Sequence, residues 1–124
     1  MRQDVVSDGL NQMMNAKKAR KTEVVLKRHS KMLLGILAIA KIKGYVSSYK
    51  VEDKMLRIIF GKLNDCNAIK PRFTVGVTEI EKYVKRFLPA RDIGVLIIST
   101  SKGLMTNQVA YEKNLGGSLV AYFY

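Results

Sequence analysis

The chain has 124 residues, 48% of them hydrophobic, and 22 Lys and Arg stand against 10 Asp and Glu for a formal net charge of +12. A chain of this length and apolar content buries about two thirds of its unfolded surface, enough for one compact unit or two small abutting ones, and disorder is excluded as its main character. A single cysteine, Cys66, excludes an intramolecular disulfide and, with the lone His29, builds no zinc site, so a reducing compartment follows.

A field of this sign draws polyanions, nucleic acid first among them for a soluble protein, although the same charge also serves as a self-repelling surface. The opening M-R-Q-D-V-V has no apolar signal segment, and Met32 to Ile42 is too short and too interrupted by lysine to span a bilayer. A cytoplasmic protein without membrane contact is expected.

In chain order, Val5, Val6, Leu10, Met13 and Met14 fall on one side of a helix, with Asp8, Asn11, Gln12 and Asn15 opposite. Asp4 suits its N-cap or first turn. Lys17, Lys18, Arg20 and Lys21 crowd the far end, which the helix dipole partly explains; Asn11 and Asn15, one turn apart, suit phosphates or sugars but are as readily idle surface residues. Thr22 to Lys27 reads as a short strand. Ser30 is placed to cap a helix whose Met32, Leu33, Ile36, Leu37 and Ala40 face a core and which ends at Gly44. Lys27, Arg28, His29 and Lys31 at its entry put more charge at a helix N-terminus than the fold requires, a plausible site for RNA backbone.

Tyr45 to Val51 and Met55 to Phe60 predict a hairpin around Glu52-Asp53-Lys54. Leu63 to Pro71, with Asn64, Asp65 and Asn67, reads as a turn-rich linker between residues 1–66 and 67–124. Extended structure resumes over Arg72 to Val77. A helix from Thr78 or Glu79 carries Ile80, Tyr83, Val84 and Phe87 on one face and ends at Leu88-Pro89.

Val95 to Ile98 predicts a buried strand, and Ser99, Thr100, Ser101, Lys102 and Gly103 follow as a polar loop at its tip. Thr106 is placed to cap a short helix, Asn107 to Lys113, stopped by Asn114 and the Gly116-Gly117 pair, before a last strand, Ser118 to Tyr124. The loop reads equally as a plain strand-to-helix connection or as a surface whose small hydroxyls and one lysine approach a shallow RNA groove.

The sequence offers little to an enzyme. Ser99 and Ser101 lack a nearby base, and neither a phosphate-binding glycine loop nor a metal-ligand pair occurs. No catalytic residue, cofactor, metal or small-molecule substrate is expected.

The stretch I-I-S-T-S-K-G-L-M-T, the helix after it and the terminal G-G-S-L-V-A-Y-F-Y closely resemble the eighth small-subunit ribosomal protein family. The resemblance extends to D-V-V-S-D-G-L-N-Q-M-M-N-A at the N-terminus and to S-K-M-L-L-G-I-L and K-G-Y-V. The block L-N-D-C-N-A-I-K-P-R-F-T-V-G and F-L-P-A-R look like its archaeal and eukaryotic branch. The resemblance implies an α/β (α+β) fold of two small packed modules: an N-terminal helix-strand-helix-hairpin and a C-terminal, strand-rich, RNA-binding module with a short helix. It implies a structural constituent of the small ribosomal subunit that binds a stem in the central domain of small-subunit ribosomal RNA early in assembly, beside neighbouring small-subunit ribosomal proteins.

Carried over by position, Ser99, Thr100, Ser101, Lys102 and Gly103 would form the principal RNA loop, with Met105 and Thr106 setting it and Gly116 and Gly117 permitting close approach. Asn15, Ser30 and Lys31, with Lys17, would meet RNA from the N-terminal module. After Thr106 the family usually continues with an acidic residue, Ala and Arg, where this chain has Val109, Ala110 and Tyr111. The alternative reading is a basic scaffold that makes mainly protein contacts and holds RNA by charge alone.

Overall fold

The computed structural model describes residues 5–70, 72, 74–90 and 93–124. Asp4 and Pro71, read above as a cap and a bend, lie outside the described residues. The chain divides into two compact units, residues 1–67 and 68–124.

In the first unit, α1 (Val5–Lys18) and α2 (Lys31–Ile42) back a three-stranded antiparallel sheet of β1 (Glu23–Leu26), β3 (Met55–Phe60) and β2 (Val46–Glu52), in that order. The apolar periodicity of both helices is realised as burial: Val6, Leu10 and Met13 on α1 and Leu33, Ile36, Leu37 and Ala40 on α2 are enclosed. Met14 and Met32 are only half-buried, at the edges of those stripes. Residue Arg20 takes the left-handed conformation (φ 62°), and the Lys21 amide donates to the Ala16 carbonyl at 3.0 Å, closing α1 with a Schellman turn. The connection between β2 and β3 is shorter than the three residues expected. Glu52 pairs with Met55 within the ladder, and positive φ at Asp53 (49°) and Lys54 (66°) makes a two-residue turn of the primed type that matches strand twist.

The second unit is built on an antiparallel sheet in the order β4 (Cys66–Ala68), β8 (Gly117–Phe123), β6 (Val95–Thr100) and β7 (Gly103–Thr106), with β5 (Thr74–Val75) also on β8. The boundary between the units falls inside β4. The expected linker over Leu63 to Pro71 is therefore corrected. Leu63, Cys66 and Ile69 are buried, and the Ile69 amide donates to the Val120 carbonyl at 2.9 Å. Three residues are too few to show alternation, so the turn formers around them dominate the sequence signal.

A single 3-10 turn (Val77–Glu79) leads into α3 (Ile80–Phe87), which ends where Leu88, before Pro89, takes extended angles. The second helix of this unit, α4 (Asn107–Glu112), follows β7 directly. Ile80, Val84 and Leu88 pack with Ala110, Leu96, Ile98, Met105 and Leu119 in one core. Val95, Ile97 and Phe123 on the sheet are buried as well. The stop of α4 falls at Asn114, as expected, but without the glycine pair. Asn114 holds the left-handed position (φ 57°) and the Leu115 amide returns to the Ala110 carbonyl at 2.9 Å, so Gly116 and Gly117 are not needed for the stop.

Candidate nucleic-acid interface

The five-residue loop expected after Ile98 is not a loop. Ser99 and Thr100 complete β6, Ser101-Lys102 is a two-residue turn, and Gly103 begins β7, with Thr100 opposite Gly103 and Ser99 opposite Leu104. The reason is register: Ile97 and Ile98 pair with Thr106 and Met105, and the ladder carries the polar residues with it. Gly103 has φ 109°, a conformation closed to most side chains, so the turn depends on glycine there.

The Thr100 hydroxyl organises the turn. It donates to the Gly103 carbonyl at 2.9 Å and accepts from the Lys102 amide at 3.1 Å, which occupies its proton and one lone pair inside the protein. What the hairpin presents outward is Ser101, Lys102 and the bare backbone of Gly103, all exposed. A Cβ placed on Gly103 would meet no atom within 4 Å, so the space above it is open. Ser99 is half-buried and pairs with both Leu104 and Ser118.

Residues that hold this tip stand behind it. A Cβ on Gly117 would overlap the Ser99 carbonyl oxygen, so glycine is what lets β8 run against β6 at that point. Gly116 is crowded likewise, its Cβ position lying 2.6 Å from the Val75 carbonyl. Thr106 is 4% exposed, and its hydroxyl oxygen accepts from the Val109 amide at 3.3 Å as the N-cap of α4. Thr106 and Gly117 thus help to position the hairpin.

Asn107 has no part in the expectations drawn from sequence, and the structure gives it one. It is 8% exposed, and its side-chain oxygen accepts from the Leu96 amide at 3.1 Å, tying α4 to β6. Only the strand-helix contact reveals this. An Asn one residue after a capping Thr otherwise looks like ordinary helix-start chemistry.

In the first unit, Asn15 and Lys31 are exposed and Lys17 is half-buried. Lys17 lines a shallow groove of about 370 Å³ with Arg20, Lys21, Thr22, Phe60 and Gly61, a cationic depression. The Ser30 hydroxyl oxygen accepts from the Leu33 amide at 3.2 Å, so Ser30 is the cap of α2, and Lys31 is its first residue. No group of His, Cys, Asp and Glu able to hold a metal occurs among the described residues. Burial, assisted by the adjacent Asp65 charge, pushes the Cys66 thiol up to about 12, so it is an inert core residue.

An exposed hydroxyl, a cation and open backbone on a hairpin are the features of a binding surface in a protein of the basic α/β class. The comparisons with known proteins agree. The chain belongs to the family described as Ribosomal protein S8, whose pattern matches residues 4–124. It is similar to the small ribosomal subunit protein uS8 of Nanoarchaeum equitans, 40% identical over 129 aligned positions that span 100% of both chains. The protein of that name from Archaeoglobus fulgidus is 40% identical over 126 positions, 98% of each chain. Both sources are archaeal, in keeping with the branch that the middle of the sequence resembles. The family is one of structural ribosomal proteins and not of enzymes.

Proposed function

We propose that this chain, a structural constituent of the small subunit of the cytoplasmic ribosome, binds directly to a stem in the central domain of small-subunit ribosomal RNA through the β6–β7 hairpin. The observation that carries the reading is the hairpin tip, where the Thr100 hydroxyl is spent on the turn while Ser101, Lys102 and the open face of Gly103 point outward. A small hydroxyl and an unobstructed backbone come close to base edges and 2′-hydroxyls, the groups that a wide, shallow RNA minor groove displays. Lys17, Lys31 and the other cations of the first unit add phosphate contacts, a sequence-independent and salt-sensitive share of affinity. Asn15 contributes a polar contact to sugar or phosphate there. Other small-subunit ribosomal proteins are neighbours.

The test is binding to a central-domain stem and to a scrambled stem of equal length across a salt series. A preference for the native stem that persists as salt rises is expected. Ser101→Ala removes one outward hydroxyl and lowers native-stem affinity about fivefold, the equivalent of one net hydrogen bond, while leaving the scrambled stem unchanged. Lys17→Ala weakens both stems alike and reduces the salt slope by about one. Coincident curves for the two stems would overturn the proposal in favour of a scaffold that holds RNA by charge alone.

A further inference from the structure

The groove at the end of α1 holds like charges without a counter-charge. It encloses about 370 Å³ and is lined by Lys17, Arg20, Lys21, Thr22, Phe60 and Gly61. The Schellman turn fixes the backbone of the three cations: the Arg20 and Lys21 amides donate to the Lys17 and Ala16 carbonyls, both at 3.0 Å. A helix C-terminus presents the equivalent of about half a negative charge, too little to balance three cations. None of the three has an ion-pair partner among the described residues. No carboxylate is in the lining, and the nearest in sequence, Glu23, pairs with Ile59 on the opposite, exposed face of the sheet. Lys62, just past Gly61, is exposed and adds charge of the same sign. Thr22 and Phe60 make the other wall, joined where the Phe60 amide donates to the Thr22 carbonyl at 3.0 Å. Alternation from the buried Leu56 and Ile58 puts the half-buried Phe60 on the helix side of the sheet, where the cations are.

These features select for an occupant. Like charges repel within the roughly 8 Å over which charges are felt at physiological ionic strength, so three of them around one groove favour an anion there. An acidic peptide satisfies the cations but leaves the aromatic ring unused. A nucleotide uses both, with phosphate on the cations and its base against the ring, the combination by which proteins hold single-stranded nucleic acid. The exposed Thr22 hydroxyl adds a donor and an acceptor for a sugar hydroxyl or base edge. The volume is at the lower end of the roughly 300–1,000 Å³ of small-ligand sites, which suits one nucleotide and excludes a duplex. We propose that this groove takes a single unstacked nucleotide of RNA, its base against Phe60 and its flanking phosphates on Lys17, Arg20 and Lys21. It shares with the reading of the β6–β7 hairpin only that the partner is RNA.

The test uses the full chain, labelled with nitrogen-15, and a single-stranded RNA of six adenosines, beside an RNA backbone with the same phosphates and sugars but no bases. The adenosine hexamer is expected to shift amides within 17–22 and 60–61. The baseless hexamer, equal in charge, is expected to bind at least about fivefold more weakly, the low end for one base stacked on one ring. That comparison needs no variant. Phe60→Leu should bring the adenosine hexamer down to the level of the baseless one and leave the latter unchanged. Lys21→Gln, an exposed change, should weaken both by the same factor and reduce each salt slope by about 0.7, one phosphate contact on a single strand. Equal binding of the two hexamers, or a hexamer of glutamate that binds as tightly as the adenosines, would overturn the assignment. Shifts confined to 99–104 would overturn it too, and would leave the hairpin reading intact; coincident curves for the two stems bear on the hairpin alone.

Discussion

Gly117→Ala is the sharpest probe of how the sheet supports the hairpin. The added methyl would overlap the Ser99 carbonyl oxygen and lie 2.9 Å from the Ser99 carbonyl carbon and 3.0 Å from Ile98 Cγ2. Two of those atoms are backbone and cannot rotate away. To restore van der Waals separation, β8 must retreat from β6 by about 1 Å, enough to open a ladder hydrogen bond of ordinary length. Ser99 pairs with Ser118 next to this point, so one or two bonds there are lost at about 1–3 kcal/mol each. The reduced freedom of the unfolded chain returns about 0.4–1 kcal/mol. A net loss of about 2–3 kcal/mol is expected, a large part of the 5–15 kcal/mol that holds a domain of this size. Urea unfolding measures it as a lower midpoint. Stem affinity should fall too, because Ser99 leads into the tip. An unchanged or raised midpoint would refute the reasoning, since it would mean that β8 does not need glycine to approach β6.

Thr100→Val keeps the shape of the side chain but removes the hydroxyl's bonds to Gly103 and Lys102, so it should cost about 1–3 kcal/mol and lower stem affinity by loosening the turn; amide exchange at Lys102, the donor in one of those bonds, reads the change. Asn107→Ala leaves the buried Leu96 amide without its acceptor, and thermal unfolding should register about 1–3 kcal/mol, distributed over β6 and α4. Cys66 links stability to alkaline pH. Its thiol rises from an ordinary 9.0 to about 12 in the fold, so the unfolded thiol ionises first and stability is full below pH 9 and declines as pH climbs toward 12. At pH 10 the loss is about 1.4 kcal/mol, and Cys66→Ala should lack this share of the decline between pH 8 and pH 10 in urea titrations.

Local signals were enough for the helices. The apolar spacing of α1 and α2 and the caps Ser30 and Thr106 are readable because a helix bonds within itself, and each cap lies three residues from the amide it accepts. Leu88 before Pro89 ends α3 for an equally local reason. The resemblance carried by I-I-S-T-S-K-G-L-M-T and the terminal G-G-S-L-V-A-Y-F-Y was also contained in residue order alone, and the family match bears it out.

Pairing across the chain was not legible in that way. The polar stretch after Ile98 became a hairpin because Met105 and Thr106 return against Ile98 and Ile97, and the linker yielded a strand because Cys66 to Ala68 pair with β8. Asn107 acquired its role from Leu96, eleven residues away, and Gly117 from Ser99, eighteen residues away. The order of residues thus determined which segments are helical, which are strand-forming and which family the chain resembles, since those depend on neighbours within a turn or two. Tertiary structure decided which hydroxyls face outward, because a side chain's availability depends on the partner that distant chain brings to it.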